Sequence, residues 1–102
     1  MVISLDENNF DQATASGITL VDFYADWCGP CRRMTPILNS VAERLSSQVT
    51  VAKVNVDHSP NISAKFGVRG IPMFVLIKDG EIVKKVTGSK AETELIAFAT
   101  SI

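Results

Sequence analysis

The chain has 102 residues, enough for one domain around one hydrophobic core and too few for a second core of useful size. Hydrophobic residues make up 46% of it and charged residues 21%, which excludes the compositions that stay disordered. A formal net charge of -1 gives no general electrostatic pull toward nucleic acid, Arg32 and Arg33 form only a short local cluster, and no uninterrupted apolar segment approaches membrane-spanning length. The first residues, MVISLDENNF, lack the basic start and long apolar run of a secretory signal. A single domain over residues 1–102 is expected, cytoplasmic, with no membrane and no nucleic acid among its partners. In that compartment a disulfide is more often transient and functional than structural.

No internal repeat, low-complexity tract or linker interrupts the chain. LDENNFDQATA, from Leu5, begins with turn-forming polar residues and continues into a weak helical pattern around Phe10 and Ala13. Ile18 to Ala25 is a nearly continuous apolar and β-branched run, suited to a strand covered on both faces. Met34, Ile37, Leu38, Val41, Ala42 and Leu45 recur at spacings of three and four, with Arg33, Asn39, Ser40, Glu43 and Arg44 on the other side. That spacing predicts a helix with one inward face, kinked at Pro36, where a backbone donor is missing.

Val49 to Asp57 reads as a second buried strand, so strand, helix and strand form a βαβ unit with parallel strands. Ser59 as N-cap, Pro60 at the first helical position and Gly67 as the stop predict a short helix from Asn61 to Phe66. MFVLIKDGEIVKKVTG, from Met73, gives two antiparallel strands around Lys78-Asp79-Gly80-Glu81, because Asp-Gly supplies the positive φ angles of a tight hairpin. Ser89 and Glu92 fit a capping box before a final helix on which Ala91, Leu95, Phe98, Ala99 and Ile102 share a face.

Both cysteines of the chain, Cys28 and Cys31, fall where the first buried strand ends and the main helix begins. As a structural staple, so small a loop would restrict the unfolded chain by only about 2 kcal/mol. As a zinc site the pair offers two ligands, and His58 is the only histidine, so a closed four-ligand site needs carboxylates or a second chain; no metal is expected. Two inert buried thiols are a third alternative. Position favours a reactive pair, because unpaired N–H groups and the helix dipole at that junction stabilise a thiolate. Pro30 costs no hydrogen bond in a first turn and stiffens the loop.

Cys-x-x-Cys beside a βαβ unit is itself a known redox signature. WCGPC at residues 27–31, preceded by VDFYAD and followed by GIPMF and KDGE, resembles the thioredoxin family over essentially the whole chain. The resemblance implies the thioredoxin fold, a central mixed five-stranded sheet flanked by four helices. It implies a thiol-disulfide oxidoreductase, in which Cys28 is the exposed nucleophile and Cys31 the buried resolving thiol. Gly29 and Pro30 then tune the couple toward reduction, since oxidising members usually carry histidine before the second cysteine.

The same resemblance assigns Asp22, the polar interruption of the first buried strand, to proton exchange with Cys31; a solvent-facing carboxylate is the alternative. Lys53 matches the lysine that neighbours this aspartate, and an amine reaching out to the sheet edge is its alternative. Pro72 matches a cis-proline facing the cysteines, and Trp27, Ile71 and Gly88 complete a small apolar groove, with the Ile71 backbone pairing to an extended substrate segment. Implied too are no bound cofactor, a separate NADPH-dependent flavoprotein reductase, disulfide-containing protein substrates and a monomer. Tyr24, Arg32 and Met73 depart from the commoner residues, and of these Met73 adjoins the groove. A redox-independent role in binding or stabilising a partner protein is the alternative from another class.

Overall fold

A computed structural model describes residues 1–102. In chain order the elements are β1 (Val2–Leu5), α1 (Phe10–Thr14), β2 (Ile18–Tyr24), α2 (Gly29–Arg33), α3 (Thr35–Arg44), β3 (Thr50–Asn55), α4 (Pro60–Lys65), β4 (Met73–Lys78), β5 (Glu81–Thr87) and α5 (Glu92–Thr100). The five strands form one mixed sheet in the order β1-β3-β2-β4-β5. β3 runs parallel to both β1 and β2, whereas β4 is antiparallel to β2 and to β5.

The unbroken apolar runs of the inner strands follow from helices on both faces. Alternate residues of a strand point to opposite sides. On one side Leu20, Val51, Phe74 and Leu76 meet Leu38, Val41 and Ala42 of α3 and Leu95 and Ala99 of α5. On the other, Val21, Phe23, Ala52, Val54, Val75 and Ile77 meet Phe10 of α1, Ile62 of α4 and Phe66. Asp22 lies between Val21 and Phe23 on β2, so the period of two turns it to the α3 side.

Four details differ from the sequence reading. The fifth strand, placed by no pattern in the sequence, is VISL at the N-terminus, and only its Leu5 is buried. The helix expected to bend at Pro36 is two helices, α2 and α3, with Met34 between them, so five helices flank the sheet and not four. Pro36 has no N–H to donate to the Arg32 carbonyl, and its ring crowds that carbonyl, which opens the chain in the preceding turn.

The third and fourth differences concern helix starts. Ser59 precedes α4, but its hydroxyl makes no capping bond and has no partner. Glu7, from the β1–α1 connection, takes that place: its carboxylate accepts from the N–H groups of Asn61 at 2.6 Å and Ile62 at 3.2 Å, and from the Asn61 side chain at 3.1 Å. α5 begins after Ala91, whose N–H donates to Glu94 at 3.1 Å, so Ser89 and Glu92 form no capping box. Glu92 instead pairs with Arg44 at 2.9 Å and accepts from Ser40 at 2.9 Å, clamping α5 to α3.

The Asp-Gly hairpin has both residues at positive φ, 49° at Asp79 and 84° at Gly80. Asp79 also exchanges hydrogen bonds with Gly17: its N–H donates to the Gly17 carbonyl at 2.9 Å, and its carboxylate accepts from the Gly17 N–H at 2.8 Å.

Candidate active site

β2 delivers its C-terminal end to a short loop, Ala25 to Trp27, from which Cys28 caps α2. Cys28 has extended backbone angles, φ -87° and ψ 111°, and its Sγ accepts from the Cys31 N–H at 3.2 Å. Pro30 lies in the first turn of α2, where no intrahelical N–H bond is lost. Cys28 and Cys31 are joined by a disulfide, with Cα atoms 5.2 Å apart. A helical turn brings residues at this spacing onto one side, so the bond closes without displacing other elements.

Both cysteines are 4% exposed. The expected contrast, an open Cys28 and a covered Cys31, is therefore absent in the disulfide form. What separates the two sulfurs is what each faces. Cys28 Sγ lies 3.9 Å from the carbonyl oxygen of Ile71. The Ile71–Pro72 peptide bond is cis, and the Pro72 carbonyl accepts from the Gly88 N–H at 2.8 Å, which ties the end of β5 to this loop. Gly88 has φ +100°, a conformation strained for any residue with a side chain.

Trp27 is 68% exposed, held by its Nε1–H, which donates to Asp57 at 2.9 Å. Together with Val56, Val68, Arg69 and Ile71 it lines a shallow groove of about 170 Å³. Met73, expected to adjoin this groove, is 4% exposed and packs with Phe23 and Phe66 in the core on the α4 side. The alternation of β4 turns it away from the cysteines.

Cys31 borders a different space, a hollow of about 50 Å³ whose walls include Asp22, Tyr24, Thr35 and Lys53. Parallel pairing of β2 with β3 sets Asp22 beside Lys53 and Tyr24 beside Asn55. Asp22 is 4% exposed and its Oδ1 has no hydrogen-bond partner. Burial pushes its pKa from 3.8 to about 7, against the opposing pull of Lys53. The Lys53 ammonium stands 5.5 Å from the centre of the Tyr24 ring, an attractive cation–π distance.

Asp22 and Lys53 thus gather on the Cys31 side, whereas Trp27, Ile71, Pro72 and Gly88 gather on the Cys28 side, with Gly29 and Pro30 between them. Sequence reasoning gave no site role to Asp57, Arg69 or Tyr24. Asp57 is the last residue of the second buried run and lies two residues beyond β3, the one signal that it reaches the same sheet end as Trp27.

A redox-active disulfide at a strand-to-helix junction, beside a buried carboxyl group and a cis-proline loop, defines a thiol-disulfide oxidoreductase. The thioredoxin family profile matches residues 1–101. Thioredoxin of Chlamydia muridarum is 43% identical over 96 residues, covering 94% of this chain and 93% of that one. Thioredoxin of Rhodospirillum rubrum is 45% identical over 88 residues, 86% and 85% of the two chains. The chain belongs to the thioredoxin family, whose members exchange electrons with disulfide substrates and reductases and need no bound cofactor. No helix is long and apolar enough to cross a membrane.

Proposed function

We propose that the protein is a general protein disulfide reductase, acting as a cytoplasmic monomer and recharged by a flavoprotein that draws on NADPH. The arrangement that carries this reading is the division of the site: Cys28 at the substrate-facing groove, Cys31 at the hollow holding Asp22. In the dithiol form the Cys31 N–H and the start of α2 favour a Cys28 thiolate, since a donor to the charged form lowers a thiol pKa.

That thiolate attacks one sulfur of the substrate disulfide. A bond forms between Cys28 and that sulfur, the substrate S–S bond breaks, and the released substrate thiolate takes a proton from solvent. An extended substrate segment paired to the Ile71 backbone would hold the disulfide in line. Cys31 then gives its proton to Asp22, directly or through a water, and the Cys31 thiolate attacks Cys28. The Cys28–Cys31 bond forms, the mixed disulfide breaks, and the second substrate thiolate leaves and is protonated. Two electrons have passed from the protein to the substrate. Lys53 stabilises the Asp22 carboxylate that accepts the proton, and Tyr24 limits where its ammonium can lie.

Turnover of insulin disulfides with NADPH and a thioredoxin reductase tests the reading. Cys28→Ser is expected to abolish turnover, and Cys31→Ser to accumulate a mixed disulfide at Cys28 visible by mass spectrometry. Retained activity in Cys28→Ser refutes the assignment.

A further inference from the structure

Four cations lie beside the segments that frame the disulfide: Arg32 and Arg33 next to Gly29, Arg69 on the wall of the Trp27 groove and Lys90 next to Gly88. Arg32 and Arg33 follow Cys31 on α2, and the Arg33 guanidinium comes within 3.4 Å of where a side chain on Gly29 would begin. Arg32 is held over the loop by donating to the Asp26 carbonyl at 2.7 Å. Arg69 is exposed on the wall of the Trp27 groove. Across the site the Lys90 ammonium donates to the Thr87 carbonyl at 3.2 Å and stands 3.9 Å from where a Gly88 side chain would begin.

None of these cations has a carboxylate oxygen within 4 Å; the only ion pair that close joins Arg44 and Glu92. Two carboxylates share the face, and each is engaged by a neutral donor: Asp57 by the Trp27 indole, Asp26 by the Asn55 amide at 3.5 Å. With Lys53 and Asp22 on the Cys31 side, the site then holds five basic and three acidic residues; the remainder has five basic and eight acidic ones, so the rest of the molecule is acidic while the whole is nearly neutral.

On the reductase reading, we propose that this rim is a docking surface for acidic segments, so that the preferred substrates are protein disulfides flanked by aspartate or glutamate. Arg69 lines the groove itself, and Arg33 and Lys90 stand beside Gly29 and Gly88, the residues that adjoin Cys28 and the Ile71–Pro72 loop. Because the rim is solvated, its main effect is on encounter: complementary charge raises association rates, and salt removes the gain.

The test uses three peptides that each hold one intramolecular disulfide, flanked by Asp and Glu, by Ser, or by Lys. The pre-reduced protein is mixed with each, and the second-order rate constant of peptide reduction is followed by chromatography. At low ionic strength the acidic peptide is expected to react at least about fivefold faster than the basic one, the gap closing above roughly 0.5 M salt. Combining Arg33→Glu, Arg69→Glu and Lys90→Glu should reverse the order, and Lys78→Glu at the far hairpin should leave it unchanged. Equal rates for all three peptides at low salt overturn the proposal while leaving the reductase intact. Failure to reduce even the neutral peptide overturns both.

Discussion

Between pH 4 and pH 7 the Asp22 carboxyl keeps a proton in the folded chain that it has released in the unfolded one, because burial raises its pKa from 3.8 to about 7. The folded state binds more protons over that window, so stability is greatest below it and falls as pH rises through it. The span corresponds to a cost of up to about 4 kcal/mol once the group is ionised. Asp22→Asn is therefore expected to be more stable than the native protein at pH 9, by about 2–4 kcal/mol, and nearly equal to it at pH 4. Urea unfolding of the disulfide form at the two pH values measures this. Activity should move the other way: reductase turnover of the native protein rises through an inflection near pH 7, and the Asn variant is slower and lacks that inflection. Stability is given up at this position for a base of suitable strength beside Cys31.

At the scale of elements, the start of α4 shows what a local sequence pattern can miss. Serine followed by proline at the first helical position is a sound helix-start signal, and α4 does begin at Pro60. The cap, however, comes from Glu7, 54 residues away for its bond to Asn61. No spacing rule reports a contact that only tertiary structure creates. Glu7→Ala is expected to cost about 1 kcal/mol and to lower the melting temperature by about 4–8 °C, whereas Ser59→Ala, which removes a hydroxyl without a partner, should cost much less. Calorimetry of both variants makes the comparison. The elements with long periodic or unbroken apolar patterns, such as the inner strands and α3, were legible because burial alone dictates those patterns. β1 was not, since four residues with one buried side chain leave almost no periodicity.

For the whole molecule, the disulfide closes a loop with a separation of only three residues within one turn, so its formation constrains little else. Reduction with dithiothreitol is expected to lower the unfolding free energy by about 2 kcal/mol, from chain entropy alone. Amide exchange should change around residues 27–35 and remain as it was in the inner strands. The reactive cysteines were legible because the motif and its junction carry their chemistry locally. The equal exposure of the two sulfurs was not, since it depends on how the Ile71–Pro72 loop covers them from another part of the chain.

The strand order also bears on how the protein emerges during synthesis. β2 lies at the centre of the sheet, yet its neighbours are β3 and β4, which follow it by tens of residues, and β1 must wait for β3. Until Lys78 has left the ribosome, the central strand β2, buried over Thr19 to Phe23, has one unpaired edge. Non-local pairing of this kind slows folding and leaves sticky edges uncovered. The nascent chain is thus most vulnerable to association after β3 is made and before β4 is, an interval of some twenty residues in which α4 is the only element added.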